Sequence, residues 1–379
     1  MPAPEKPALE ALVAEAERVL AICNACRYCE GYCAVFPALE RRLSFTEGDV
    51  HYLANLCHNC GSCLYACQYA PPHEFQLDFP RILAQVRGET YRKYAWPAAL
   101  GRLFGRNGTV VAAALVVCTI AALAFLASFA GPDRIFRAWS DDEGSFYALI
   151  PHEPMAGIFG VAFIAALAAL GAAFGRFWRD SGEPMAGLLA PHASAGAARD
   201  ALTLRYLDGG GDGCTYPNAK PSFARRRFHH LTFYGFLLCF AATCVATLYH
   251  YGFGWKAPYP FLSLPVVLGT LGGIGLVVGP PGLLWLKARR DPELVDRAQD
   301  GMDAGFLGLL FLTGLTGLAL LAFRETHAMG VLLAVHLATV LALFVTMPYG
   351  KFVHGMYRAG ALARFHIERR RPMPEVAAE

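Results

Sequence analysis

Six apolar stretches constrain this chain more than anything else in it. Crossing about 30 Å of hydrocarbon takes roughly 20 residues of helix, and stretches of that length occur at approximately 109–130, 155–175, 230–251, 261–286, 303–323 and 328–348. Inside lipid every backbone polar group must find its partner within the protein, so open spans of this kind are helices. Each stretch is bounded by charge, Pro or Gly. The fourth contains Pro265, Pro280 and Pro281 and is expected to bend. The composition, 55% hydrophobic and only 17% charged, is too apolar for an ordinary water-soluble surface. The excess is uneven, however: residues 1–100 are ordinary in polarity. The expected organisation is a soluble head at 1–100, a six-span membrane domain at 101–358 with a long loop at 176–228, and a tail at 359–379.

The opening residues "MPAPEKPALEALVAEAERVL" carry Glu5, Glu10, Glu15 and Glu17 and lack the apolar core of a signal peptide. They read as an acidic amphipathic helix, and the head is expected to stay in the cytoplasm. Lys and Arg agree. With the head inside, the three outer loops hold Arg134, Arg137, Lys256 and Arg324, whereas the inner loops and tail hold eighteen basic residues, Arg225–Arg227 and Arg369–Arg371 among them. Six spans then return the C-terminus to the same side, as in a multi-pass protein of a bacterial cytoplasmic membrane.

The head contains two cysteine ladders, "CNACRYCEGYC" from Cys23 to Cys33 and "CHNCGSCLYAC" from Cys57 to Cys67. In a reducing compartment eight clustered thiols are metal ligands rather than disulfides. Each ladder is C-x2-C-x2-C-x3-C, the spacing that holds a [4Fe–4S] cluster with its fourth thiolate lent to the neighbouring cluster. One cluster is therefore expected on Cys23, Cys26, Cys29 and Cys67, and the other on Cys57, Cys60, Cys63 and Cys33. Zinc favours two CxxC pairs separated by a longer loop, which fits three evenly spaced thiols poorly. The proline that usually follows the fourth cysteine is displaced to Pro37 and Pro71. Between the ladders Val50, Leu53 and Leu56 share a helical face behind Thr46, a natural N-cap. A second helix is expected in "DFPRILAQVR". The predicted fold class is all-α: an α-helical ferredoxin-like head with two [4Fe–4S] clusters, followed by a six-helix transmembrane bundle.

Ionisable residues inside a membrane are costly and tend to be functional. His229 and His230 open the third span and His250 closes it; the sixth contains His336, with His354 just beyond its end. His336 and His354 are 18 residues apart, five whole turns of a single helix and about 27 Å along its axis. By depth, His229 or His230 pairs with His354, and His250 pairs with His336. Facing imidazoles on different helices are what a b-type haem needs, so haem b is expected, in one copy or two. His152 and His327, in or beside loops, read as wetted interfacial histidines. Cys118, Cys239 and Cys244 read as buried small hydrophobes, and Cys214 has no ligand spacing. The glycine run in "LDGGGDGCTYPNAKPSFARRRFHH" lacks the preceding strand and following helix of a dinucleotide fold, so it reads as a turn or docking loop. No nucleic-acid partner is expected.

The two ladders, the stretch "GGGDGCTYPNAKPSFARRRFHHLTFYGF" and the six-span tail together resemble the tricarballylate-utilisation protein B family (TcuB, also called CitB), which is similar to the C-terminal half of the CobZ flavohaemoprotein. More distantly, "MPYGKFVH" with His336 upstream is similar to the haem-b membrane subunits of nitrate and heterodisulfide reductases. The resemblance implies a membrane electron carrier that reoxidises the flavin of a separate FAD-dependent dehydrogenase and passes electrons to membrane quinone. For tricarballylate that partner makes cis-aconitate. The rival reading is a redox- or iron-sensing regulator or transporter with a cluster-bearing head. A transporter is expected to show internal repeats among its spans, and none is visible.

Overall fold

Caps and apolar faces define the helices of the head. The computed structural model describes residues 9–139, 145–292 and 296–373, so Glu5 and the first turn of the expected N-terminal helix lie outside them. Helix α1 (Leu9–Cys26) turns Leu12, Val13, Ala16, Val19 and Leu20 inward, the three-and-four spacing of an amphipathic helix. Then come α2 (Val35–Leu39), α3 (Glu47–Leu56), α4 (Ser62–Tyr65) and α5 (Phe79–Tyr94). Thr46 caps α3 by accepting from the Asp49 amide, while the Asp49 carboxylate accepts from the Thr46 amide. Asp78 caps α5 in the same way, accepting from Arg81 N, and Pro80 sits in its first turn. Both expected head helices are therefore present, and Leu53, Leu56, Leu83 and Val86 on their inner faces are fully buried.

Among the described residues, six helices long and apolar enough to cross a membrane follow. They are built on α6 (Asn107–Phe129), α9 (His152–Asp180), α11 (Ala224–Phe253), α12 (Leu264–Ala288), α13 (Asp300–Phe323) and α14 (Met329–Thr346). Short helices α7 (Pro132–Ile135) and α8 (Ser145–Leu149) occupy the first hairpin loop, α10 (Pro191–Leu202) lies in the long loop, and α15 (Val353–Glu368) closes the chain. Val116, Val117, Ile120, Val161 and Ile164 on α6 and α9 are exposed, an arrangement favourable only if the surrounding solvent is hydrocarbon. Among the described residues the fold is 74% helical, and the one sheet is a two-stranded ribbon of β1 (Cys214–Thr215) and β2 (Pro221–Ser222).

Two expectations about the spans are corrected. Pro265 starts α12 behind Ser263 rather than interrupting it, since a proline in the first turn loses no hydrogen bond. Pro280 and Pro281 lie within one continuous helix. That region is pressed against α11: a Cβ on Gly235 would stand 3.0 Å from Gly272 O, and one on Gly279 2.6 Å from Thr232 N. Small residues here let the two backbones approach closely. The second correction concerns His336 and His354, which do not share a helix. Helix α14 ends at Thr346, Met347–Tyr349 form a 3-10 turn, and α15 begins at Val353. Pro348 and the extended Gly350 break the run.

Helix α15 folds back onto the head instead of trailing into solvent. Arg42, from the first ladder's flank, bonds Glu368 at 2.5 Å and Asp49 at 2.8 Å, and Arg364 bonds the same two acids at 2.8 and 2.9 Å. Tyr52 lies under both guanidinium groups and donates its hydroxyl to Glu368 at 3.2 Å. This clamp joins α3 to the helix that carries His354 in its first turn.

Candidate functional site

Each ladder is threaded through left-handed turns that aim its thiols inward. Helix α1 supplies Cys23 and Cys26 from its last turn; Arg27, at φ 54°, reverses the chain to bring round Cys29 and Cys33. Cys57 caps the end of α3, and Asn59 (φ 52°) and Gly61 (φ 84°) curl the backbone so that Cys60, Cys63 and Cys67 follow around α4. Cys67 lines the same cavity of about 210 Å³ as Cys23, Cys26 and Cys29, together with Cys63, Phe36, Tyr69 and Phe79. That is several times the share of one water in the liquid, about 30 Å³. Cys33 instead faces Cys60 and Cys57. The fourth thiol of each ladder thus lies with the opposite ladder, and Cys63 sits between the two cradles beside Cys60 and Cys29.

The donor chemistry fits a cationic cluster core. Burial first, then the neighbouring thiols, push Cys23 and Cys29 up to about 12. Thiols packed this closely repel once ionised, and a bound metal core reverses that cost. The two cradles differ in depth: Cys26 is exposed and Tyr28 beside it is 71% exposed, whereas Cys57 and Cys60 are buried.

The glycine-rich loop is what covers the second cradle. Gly213 (φ 100°) is pressed so tightly against β2 that a Cβ would stand 2.6 Å from Ser222 C, and one on Gly209 (φ 60°) would stand 2.8 Å from Ser62 Oγ. The run exists to seat the loop on α4, in keeping with the docking-loop reading. It also buries Cys214 completely, its single S–H within reach of both Leu207 O, at 3.3 Å from Sγ, and Cys60, while Thr215 Oγ1 donates to Ser62 Oγ at 3.2 Å. Cys214 lies against Cys60 and, by hydrogen bonding, holds that thiol below its ordinary range; Cys60 raises Cys214 in return. Sequence reasoning missed this contact because 154 residues separate the two cysteines.

Behind the second cradle three arginines grip its backbone. Arg225 donates to Asn59 O at 2.6 Å and His58 O at 3.1 Å, Arg358 to Cys57 O at 2.9 Å, and Arg87 to Cys57 O at 2.8 Å and Ala54 O at 3.1 Å. Arg225 precedes His229 by one turn on α11, and Arg358 follows His354 by one turn on α15. These two histidines face each other with ring centroids 6.2 Å apart and planes at 70°. Imidazole nitrogen bonds a first-row metal at about 2.0–2.1 Å, so two such bonds plus half of each ring span about 6 Å. A haem iron therefore fits between them. His354 Nδ1 donates to the Lys351 carbonyl, which leaves Nε2 as the free lone pair. Burial, then Arg358 and Lys351, hold His354 well below its ordinary range and hence neutral. One nitrogen of His229, Nδ1, is buried without a partner among the described residues.

The other histidines are placed differently. His230 turns away to Tyr234, at 5.7 Å, so of the two neighbours only His229 meets His354. His250 stacks on His152, with centroids 3.7 Å apart, too close for a macrocycle between them. Glu153 joins that pair, with ligating atoms within 4.8 Å of one another. His152 is thus a contact of His250 and not merely a wetted loop residue. His336 has no ring contact with His250 among the described residues. It is held by Thr316, whose hydroxyl donates to Leu312 O at 2.7 Å and so accepts from His336 Nδ1 at 3.0 Å. Gly317 leaves room for the ring, since a Cβ there would lie 3.0 Å from His336 Cε1. His327 binds the Phe136 carbonyl at 2.7 Å, in a loop as expected.

An all-helical chain with a doubly laddered, ferredoxin-like head on six membrane-length helices is a multi-pass membrane protein of iron–sulfur type. Comparison with known families agrees: the profile of Citrate utilization protein B matches residues 106–375, and that of the Citrate utilization protein B Fer4-like domain matches 16–93. Citrate utilization protein B of Escherichia coli is 54% identical over 359 residues, covering 94% of this chain and 93% of that protein. The chain belongs to the citrate utilization protein B family, whose Fer4-like domain accords with an iron–sulfur electron-transfer role. No solved structure matches it.

Proposed function

We propose that the chain is a membrane electron carrier that reoxidises the reduced flavin of a separate FAD-dependent, tricarballylate dehydrogenase-like partner and delivers the electrons to membrane quinone. When bound, two [4Fe–4S] clusters and haem b supply the one-electron steps that a two-electron flavin donor requires. The first cradle, with exposed Cys26 and Tyr28, is the edge a flavoprotein can approach. The 208–222 loop and Arg225 keep water from the second cradle, and Lys351 orients His354. On the charge rule the head and both termini face the cytoplasm of a bacterial cell.

The observation that carries the reading is the His229–His354 pair directly behind the second cradle, joined to it by Arg225 and Arg358. The same spacing is absent between His250 and His336, so the reading takes one haem, at His229 and His354. It is tested by visible spectra of purified membranes. His354→Ala and His229→Ala should abolish the reducible haem band while iron content stays near wild type, and His230→Ala should keep the band. A wild-type protein without any haem band would favour the sensing regulator instead.

A further inference from the structure

Arg87, Arg225 and Arg358 converge on Cys57, His58 and Asn59, and they donate to the neutral carbonyls of these residues and of Ala54. Among the described residues none of the three forms an ion pair with a carboxylate. The contrast lies close by, where Arg42 and Arg364 are matched by Asp49 and Glu368. Arg87 is 5% exposed, and Arg358 has its Nε buried with no partner. Buried cations without anions are expensive, so Arg87 and the half-buried Arg225 and Arg358 in one place point to anionic groups that this chain's carboxylates do not supply.

The thiolates of the second cradle account for one such group, on the ladder side. On the other side, Arg225 and Arg358 each stand one turn from an imidazole of the facing pair, displaced toward the cradle. A tetrapyrrole seated between His229 and His354 therefore meets a guanidinium from each helix along its cradle-facing edge. Arginine is suited to this, since its planar fork binds a carboxylate through two parallel hydrogen bonds.

Resting on the haem reading above, we propose that Arg225 and Arg358 form a carboxylate-binding site for the propionate edge of the haem, which sets the direction in which the haem is seated and favours its reduced form. Arg87 backs the site from α5. The histidines hold the metal, and the arginines orient the ring toward the second ladder.

The test uses the full-length protein in membranes, with Arg358→Gln, Arg225→Gln and Arg358→Lys. Haem content and an optical redox titration are read together, and cluster iron reports that the head is folded. The expected result is that each Gln variant loses at least tenfold in haem affinity or in the haem reduction constant, the latter a fall of about 59 mV for one electron. Arg358→Lys should recover more than half of the loss. Wild-type haem content and an unmoved midpoint in both Gln variants would overturn the inference while leaving the haem in place. A Lys variant no better than Gln would overturn it too, since shape rather than charge would then matter. If Arg358→Gln does not assemble its clusters, Arg225→Gln, on the more accessible α11, decides. A wild-type chain that binds no haem sinks the preceding reading, a failure visible before any variant is made.

Discussion

Glu368→Ala is expected to loosen the head from the helix that carries His354. Glu368 is 6% exposed and accepts from Arg42 Nη2 at 2.5 Å, Arg364 Nε at 2.8 Å and the Tyr52 hydroxyl at 3.2 Å. Asp49 accepts from Arg42 Nε and Arg364 Nη2 of the same two guanidiniums. Removing the Glu368 carboxylate leaves two buried cations to share one acid and leaves Tyr52 without an acceptor. Breaking a buried pair from one side costs about 3–5 kcal/mol, because the stranded charge has lost its water as well as its partner. At about 1.4 kcal/mol per factor of ten, the contact should open roughly 100 to 4,000 times more often. Hydrogen exchange read on α3 and α15 peptides in a detergent or nanodisc sample reports that opening directly. Glu368→Gln keeps the acceptor oxygen and should fall between wild type and Ala. Exchange in Glu368→Ala within tenfold of wild type would refute the reasoning and reduce the clamp to the worth of a surface pair.

Two further outcomes follow from the same geometry. Cys67→Ser should damage the cluster wrapped by Cys23, Cys26 and Cys29, since these four share one cavity; low-temperature paramagnetic resonance with iron counting checks this, and a perturbation confined to the Cys57–Cys63 cluster would contradict it. The clamp should also have a one-sided pH dependence. Burial works to raise Asp49, but Arg42, Thr46 and Arg364 together hold it below its ordinary range. A lowered carboxyl contributes stability that is present above its unfolded value of about 3.9 and lost as the pH falls through the folded value. Protection of α3 should therefore stay level from pH 8 to 5, after correction for intrinsic exchange, and fall only below about pH 4; loosening between pH 7 and 6 would place the clamp on another group.

The sequence by itself determined what is local or compositional. Ladder spacing needs only a dozen contiguous residues, and it implied a crossed cluster assignment; in the fold Cys67 lines one cavity with Cys23, Cys26 and Cys29. Thr46 and Asp78 announced α3 and α5 because a cap acts within its own first turn. Six membrane-length helices were legible because hydrocarbon tolerates little else. What only the tertiary structure decided is which distant residues become neighbours. Depth set His229 or His230 against His354 without choosing between them; the packing of α11 and α15 presents His229 to it. Depth alone paired His250 with His336, whereas packing at the start of α9 set His152 on His250 instead. The single-helix register of His336 and His354 failed at Pro348 and Gly350, where the chain turns to dock α15 on the head. Cys214 beside Cys60, and Arg225 and Arg358 on the second ladder, leave no periodic trace at all. Their positions follow from glycine-mediated close approach and from buried charge seeking partners, both of which exist only once the chain has folded.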